Sequence, residues 1–242
     1  MRVLLAICLI FGLGVSVVTA QQKESRLGRA QIREAERLLA GLGYWTGPVD
    51  GVFDPATRFA LIAFQKWEGR PLTGVLTSDE VEAIRNASRP VSRDGDYEHV
   101  EVDVDRQVLM IFDGNGGVRV LPVSTGTDKP FVYDGQTSIA YTPRGRFVVY
   151  DKTLGRDTLF PGVYYPNYIS GGIAIHGYDN VPVQPASHGC IRIPMFAARE
   201  VSSRLKLGTI VLVYDKVSFV SAKAWVENPK LKEAALANGA LQ

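Results

Sequence analysis

The sequence comprises 242 residues, of which 46% are hydrophobic and 21% are charged. This is ordinary globular composition, so a wholly disordered or collagen-like chain is excluded, and the length allows one large domain or two smaller ones. The 27 basic and 25 acidic residues leave a net charge of +2. These charges are interspersed rather than clustered, which argues against a nucleic-acid partner. Two cysteines, Cys8 and Cys190, are too few for a disulfide scaffold or for a zinc site built mainly on cysteine.

The first twenty residues have the pattern of a secretory signal peptide. A positively charged start precedes an uncharged apolar run over 3–18 and a small-residue cleavage pattern over 18–20. The alternatives are an uncleaved anchor helix, for which the run is short of the roughly 20 residues that span a bilayer, and a lipoprotein signal at Cys8. Cleavage leaves Cys190 as the only thiol of the mature chain. A lone thiol in an oxidising compartment is either buried and inert or kept for its reactivity.

Residues 29–87 carry the helical spacing of apolar side chains that is typical of a small three-helix unit. Asp54 is expected to cap the second helix, and Thr77 with Glu80 has the spacing of a capping box for the third. Residues 88–96 lack a periodic apolar pattern and are rich in turn-forming residues. We therefore predict a helical module followed by a linker.

From residue 97 the hydrophobic period changes to two, which predicts a mainly β domain over 97–215. Valines alternate with acidic residues over 100–104, so we expect a strand with one buried and one solvated face. A hairpin turn is predicted at 113–117, and a helix near 195–206. The tail over 216–242 again has a helical pattern. The predicted fold class is therefore multidomain, with an α module before a mainly β domain.

The residues able to carry chemistry are concentrated in one segment. His176 ends a strand-like stretch, and Ser187-His188-Gly189-Cys190-Ile191-Arg192 follows, so that two histidines and the mature thiol fall within fifteen residues. An imidazole can take the proton of a thiol and later return it to a leaving amine, while backbone N–H groups hold the developing oxyanion. Spacing alone leaves both His176 and His188 as candidates for this base.

Two less specific interpretations compete with nucleophilic catalysis. In the first interpretation, Cys190 is a buried structural cysteine and the nearby histidines are incidental. In the second, Cys190 binds a metal ion together with His176, His188 and Asp179. The usual paired spacing of metal ligands is missing, so we expect no metal. The third histidine, His99, lies in a predicted strand and is expected at the surface.

These motifs resemble a known enzyme family. Ile175-His176-Gly177 followed by the run from Ser187 to Arg192 is similar to the signature of the L,D-transpeptidase catalytic domain, also called the YkuD domain. The stretches 122–126 and 142–147 resemble the same family, and the likeness covers about 97–215. The resemblance implies a β-sandwich-like catalytic domain that needs no cofactor and no metal.

The resemblance also implies roles for individual residues. Cys190 is the expected nucleophile and His176 the general base and acid, with the Gly177 carbonyl orienting the imidazole. The backbone N–H groups of His188, Gly189 and Cys190 are expected to form the oxyanion hole. The expected substrate-binding residues are Arg192, which would hold a carboxylate through its planar fork, Ser187 and Thr142.

A second resemblance concerns the helical module. Gly43-Tyr44-Trp45-Thr46-Gly47-Pro48-Val49-Asp50-Gly51, with Thr57 and Phe64-Gln65 after it, is similar to the peptidoglycan-binding domain 1 module. This implies a tether to the glycan polymer that raises the local substrate concentration. The alternative interpretation is that its aromatic residues form the core of the helical unit and do not bind glycan. As a tether, the module is expected to be removable after Arg93 with turnover of soluble muropeptides spared.

Together the two resemblances imply acyl transfer on peptidoglycan stem peptides. The thiol attacks the L-centre carbonyl of a diamino acid, expels D-alanine as a thioester forms, and passes the acyl group to an amine of a neighbouring stem as a 3→3 cross-link. Water as acceptor would make the same site an L,D-carboxypeptidase, and an outer-membrane lipoprotein is a further expected acceptor. The signal and the module pairing imply an exported, periplasmic protein bound to the cell wall, with no membrane association in the mature form.

Overall fold

The computed structural model describes residues 27–158 and 160–218. The predicted signal peptide over 1–20 and most of the predicted helical tail lie outside these residues. Three helices come first, followed by eleven strands interrupted by a fourth helix. Their bounds are α1 Arg29–Gly41, α2 Pro55–Trp67, α3 Ser78–Asn86, β1 Glu98–Asp103, β2 Val108–Asp113, β3 Val118–Pro122, β4 Pro130–Tyr133, β5 Gln136–Ile139, β6 Gly145–Val148, β7 Asp151–Lys152, β8 Tyr164–Ser170, β9 Ile173–Tyr178, β10 Ile191–Pro194, α4 Met195–Arg204 and β11 Ile210–Tyr214. Within the described ranges, no helix is long and apolar enough to cross a membrane.

The helices begin where the sequence provides caps. The Asp54 side chain accepts a hydrogen bond from the Thr57 N–H, and Pro55 occupies the first turn of α2. Thr77 caps α3 by accepting from the Glu80 N–H. The Glu80 carboxylate does not complete the capping box in return, because it pairs with Arg70 at 3.0 Å instead. The predicted starts of α2 and α3 are therefore confirmed, with half of the predicted box.

The β domain is built from two main sheets and a small hairpin. The five-stranded sheet has the order β3-β2-β1-β11-β6, the four-stranded sheet has the order β10-β9-β8-β7, and β4 pairs with β5. Valines 100 and 102 from the first sheet pack against isoleucines 175 and 191 from the second, and α4 closes the same core. This arrangement confirms the β-sandwich-like fold class.

The helical module packs directly on the outer face of the five-stranded sheet. Leu39, Leu61 and Phe64 of the helices share one buried cluster with Met110 and Val120 of the sheet. The sheet is therefore covered on both faces. Removing the helices would expose the apolar face that they cover, so the expectation that truncation after Arg93 spares turnover does not follow from this structure.

Burial on the module side corrects two sequence expectations. The prediction of a half-solvated β1 is wrong, because every residue of the strand after Glu98 is buried. The prediction that His99 lies at the surface is also wrong, since its side chain is fully buried and stacks on Tyr97 and Phe112. Its ring nitrogens contact the Tyr97 carbonyl at 2.7 Å and the Glu101 carboxylate at 3.0 Å. A period of two cannot show that the segment before the strand will cover the polar face, where the Ser92 hydroxyl and the Arg93 N–H donate to Glu101.

Candidate active site

The predicted thiol and imidazole are brought together by two neighbouring strands. β10 pairs in parallel with β9, with Arg192 opposite His176 and Ile191 opposite Ile175. Opposed residues share a face and successive residues alternate, so the isoleucines point into the core while His176 and Arg192 point away from it. Cys190 directly precedes β10 and lies two residues before Arg192, so it continues the His176 face. Strand spacing and rise put the Cα atoms of Cys190 and His176 roughly 8 Å apart on the diagonal.

The surroundings of His176 fix both its orientation and its charge. The side chain is 2% exposed, and Nδ1 donates to the Gly177 carbonyl at 2.9 Å. A carbonyl can only accept, so this bond leaves Nε2 as the unprotonated nitrogen. Burial lowers the pKa of His176 to about 4; the Gly177 bond opposes this shift, and the nearby Arg192 charge adds to it. The imidazole is therefore neutral at neutral pH and able to accept a proton.

Cys190 is partly exposed, and its thiol is neutral at rest. The sulfur lies 3.6 Å from the Gly172 carbonyl oxygen. Burial raises the pKa of Cys190, while a backbone hydrogen bond from Ala174 and the Arg192 charge act in the opposite direction. The raised pKa of the thiol and the lowered pKa of the imidazole leave both groups neutral at neutral pH.

The loop before the thiol is held by its own side chains. The Ser187 hydroxyl accepts from the Gly189 N–H at 3.0 Å and donates to the Cys190 carbonyl at 2.6 Å. Gly189 has a φ of +148°, and a Cβ atom there would lie 2.8 Å from the Tyr141 carbonyl oxygen and 2.7 Å from a methyl group of Ile173. Only glycine fits this position.

Two residues expected to bind substrate are positioned otherwise. The Thr142 hydroxyl is fully buried, accepts from the Gly126 N–H at 2.9 Å and donates to the Gly189 carbonyl at 2.6 Å. Ser187 is 1% exposed, with its hydroxyl committed to Gly189 and Cys190. Neither hydroxyl can reach a substrate in this conformation, so the expected substrate contact is corrected to support of the loop.

The expected oxyanion donors are distributed unevenly. The Gly189 N–H is already bound by Ser187, whereas the N–H groups of His188 and Cys190 donate to no other group among the residues that the structure describes. The His188 ring stacks on Phe131 of the β4–β5 hairpin, with the ring centres 4.2 Å apart and the planes 5° apart. His188 therefore contributes its backbone to the site while its ring packs on the hairpin.

Arg192 is held by a ring contact and a hydrogen bond. Its carbon lies 4.1 Å from the ring centre of Tyr178, and one nitrogen donates to the Ala186 carbonyl at 3.2 Å. The stack fixes the plane of the fork beside His176, and among the described residues Ala186 is the recorded hydrogen-bond partner of the guanidinium.

Sequence reasoning missed the aromatic wall of the site. Tyr178 approaches His176 edge-on, with ring centres 5.9 Å apart, and the Tyr168 hydroxyl donates to Asp157 at 2.9 Å. The only signal for Tyr178 is its spacing of two from His176, which puts both on one face of β9. Tyr168 lies on β8, which has no alternating pattern.

A metal site would need several ligand side chains to lie close together. Over residues 27–158 and 160–218, no group of three or more histidine, cysteine, aspartate or glutamate side chains could hold a metal ion. His176, His188, Cys190 and Asp179 do not form such a group.

Comparison with known proteins identifies the two parts of the chain. The model of the L,D-transpeptidase catalytic domain, YkuD, matches residues 97–213, and that of a peptidoglycan binding domain matches residues 28–84. The crystal structure of the L,D-transpeptidase (residues 123–326) from Xylanimonas cellulosilytica DSM 15894 is 35% identical, with a TM-score of 0.70, over 76% of this chain and 93% of that one. The chain belongs to the L,D-transpeptidase family.

One curated protein is similar to this L,D-transpeptidase over a shorter stretch. The localization factor PodJL of Caulobacter vibrioides is 40% identical over 55 residues, which are 23% of this chain and 6% of that protein. The chain thus spans a small fraction of that relative's length. Peptidoglycan-directed domains at both ends of the described chain support the association of this L,D-transpeptidase with the cell wall.

Proposed function

We propose that this protein is an exported L,D-transpeptidase that forms 3→3 cross-links in peptidoglycan through a thioester on Cys190, releasing D-alanine. The observation that carries the proposal is the shared face of β9 and β10, where His176 presents an unprotonated Nε2 beside the position of Cys190. Membership of the L,D-transpeptidase family supplies the substrate class.

In the proposed acylation step, Nε2 of His176 takes the Cys190 proton as sulfur attacks the carbonyl of the stem peptide. The oxyanion accepts hydrogen bonds from the backbone N–H groups of His188 and Cys190. Collapse of the tetrahedral intermediate breaks the bond to D-alanine, whose nitrogen receives the proton from His176. A positively charged imidazolium forms only transiently, in line with its lowered pKa.

In the proposed second step an amine of a neighbouring stem attacks the thioester. His176 takes a proton from that amine, and the Cys190 thiolate leaves as the new amide forms and takes the proton from the imidazolium. Arg192 is proposed to hold a stem-peptide carboxylate, because its fork is fixed by Tyr178. Gly189 and Gly177 contribute backbone geometry, and Ser187 and Thr142 hold the loop.

Product analysis tests this proposal. The full chain is incubated with purified disaccharide tetrapeptide, and products are identified by mass spectrometry. Cross-linked dimers together with free D-alanine are expected, and Cys190→Ala should give neither. Shortened monomers without dimers would instead assign the carboxypeptidase reaction, and activity that survives in Cys190→Ala would exclude the thiol as nucleophile.

Export and wall binding are also proposed. The pattern over 1–20 predicts that the protein purified from the periplasmic fraction begins near Gln21. N-terminal sequencing checks this, and an uncut Met1 would contradict it.

The helical module is proposed to bind the glycan. This binding is measured by the sedimentation of full-length Cys190→Ala together with purified sacculi. A lipoprotein acceptor is tested by adding one with a free lysine amine.

A further inference from the structure

One buried charge joins the helical module to the β domain. Lys66, in the last turn of α2, is 5% exposed. Its Nζ donates to the Gln107 carbonyl at 3.1 Å and to the Val123 carbonyl at 2.9 Å. Within the described chain it forms no ion pair with an acidic side chain. Two backbone carbonyls, just before β2 and just after β3, are therefore its partners.

This amine is costly for stability. Burial alone lowers the pKa of Lys66 to about 7, since the charged form loses its hydration without a counter-ion. An apolar side chain of similar length would fill the same volume at the interface without that loss. The lysine thus contributes something that packing between the modules does not require, namely donors aimed at two specific carbonyls.

The segment that Lys66 holds is bonded to the segment that precedes the nucleophile. The Gln107 side chain accepts from the Thr125 N–H at 2.9 Å and donates to the Thr125 hydroxyl at 2.7 Å. The Thr125 carbonyl in turn accepts from the N–H groups of Ala186 and Ser187, at 3.0 and 2.9 Å. Residues far apart in sequence are thereby linked by a continuous set of short hydrogen bonds.

The last link reaches the reacting atoms. Ser187 binds both the Gly189 N–H and the Cys190 carbonyl, so its position sets the backbone on either side of the thiol. The side chains of the network are all nearly inaccessible: Lys66 and Gln107 are 5% and 4% exposed, Thr125 is fully buried and Ser187 is 1% exposed. Water cannot readily replace these bonds, and buried networks of this kind rigidify what they hold.

We propose that Lys66 is a positioning residue for the catalytic loop 186–190, acting from the helical module through Gln107 and Thr125. The inference rests on the proposed role of Cys190. It assigns the module a part in turnover itself, in addition to any binding of glycan. Lys66 touches neither substrate nor thiol, and its effect is on where the His188 and Cys190 N–H groups point.

The test compares the full chain with Lys66→Met, which keeps the aliphatic length and removes the donors. The kcat for D-alanine release from disaccharide tetrapeptide is expected to fall about 10- to 100-fold, as small misplacements of catalytic groups commonly cause. KM should change little, because the substrate contacts are intact. Hydrogen exchange without substrate should be faster at the Ala186 and Ser187 amides.

Arg106→Met is the matched control at the same interface. Arg106 stacks over Trp67 of α2 at 4.9 Å and pairs with Asp103 at 2.9 Å, and over the described chain it makes no bond to residues 123–125 or 186–190. Its loss should lower Tm modestly, because the contact with Trp67 and the ion pair with Asp103 are both removed. The kcat should stay unchanged within about two-fold, because neither contact belongs to the network that reaches the loop. Parallel losses of kcat and Tm in both variants would overturn the inference.

Further outcomes separate the inference from the proposed function. If the wild type turns over and folded Lys66→Met matches it in kcat, the inference fails while the function stands. If the wild type shows no turnover but Lys66→Met speeds exchange in 186–190, the function fails and the coupling of module to loop stands. Should Lys66→Met not fold, Gln107→Leu cuts the network one step later and is expected to give the same fall in kcat. Wild-type kcat in folded Gln107→Leu would likewise overturn the inference.

Discussion

The protonation of His176 determines how activity depends on pH. The base must be neutral to accept the Cys190 proton, so activity is lost as pH falls through the pKa of the imidazole. Burial sets that pKa at about 4, against about 6.5 for an exposed histidine. At about pH 5.5 the neutral fraction is then about 97% for the buried ring and about 9% for an ordinary one. The two cases differ roughly tenfold at this pH.

The assay measures kcat/KM for D-alanine release from disaccharide tetrapeptide as a function of pH. It is run at low substrate concentration from about pH 4 to about pH 9, and the ordinary pKa of a thiol sets the upper limit. We expect near-full activity at about pH 5.5 and an acid limb near pH 4. Because the pKa of Cys190 is raised, we expect no loss of kcat/KM at a pH below the ordinary pKa of a thiol. An acid limb between about pH 6 and 7, at the ordinary histidine pKa, would refute the reasoning.

Two variants that shift the His176 pKa in opposite directions distinguish titration of the imidazole from unfolding in acid. Arg192 lowers the His176 pKa and Asp157 raises it. Arg192→Gln should therefore move the acid limb to higher pH, and Asp157→Asn should move it to lower pH. Circular dichroism at each pH confirms that the fold is retained. Shifts in the same direction would show that the limb does not report the imidazole.

Three further substitutions test the loop and the buried polar face. Gly189→Ala should lower kcat/KM at least about 100-fold, since the new Cβ meets the Tyr141 carbonyl and displaces the thiol; near-normal turnover would contradict this. Thr142→Val should cost about 1–3 kcal/mol of unfolding free energy by removing both hydroxyl bonds, and Thr142→Ser should restore it in urea titrations. Glu101→Leu should cost about 3 kcal/mol or more, because it removes the acceptor of the Ser92 hydroxyl, the Arg93 N–H and the Tyr214 hydroxyl, while the kcat of the folded enzyme stays unchanged.

Local sequence patterns predict most of the helices and turns of the fold. Caps at Asp54 and Thr77, the hairpin turn at 113–117 and the helix near 195–206 all follow from short-range preferences and are found as expected, the helix as Met195–Arg204. The β4–β5 hairpin was not predicted, because its strands are exposed and lack an apolar alternation. The packing of helices on the sheet was not predicted either, since it depends on residues far apart in sequence.

The sequence indicates which residues could form the site, but it does not indicate what each side chain contacts. The nearness of the thiol and two histidines in the sequence is visible, whereas the choice of His176 as base rests on the family resemblance and stays a proposal. Thr142 and Ser187 were expected to touch substrate because they belong to the motifs. Their buried hydroxyls instead hold Gly189, a role that only three-dimensional contacts reveal. Lys66 carried no sequence signal at all.

The most direct test of the account is the intact mass of the enzyme during turnover. Rapidly quenched wild type mixed with disaccharide tetrapeptide should carry an adduct equal to the substrate minus D-alanine, and peptide mapping should place it on Cys190. His176→Ala should acylate far more slowly, and Cys190→Ala should carry no adduct. Dimer formation without any adduct on Cys190, or an adduct on another residue, would contradict the central claim.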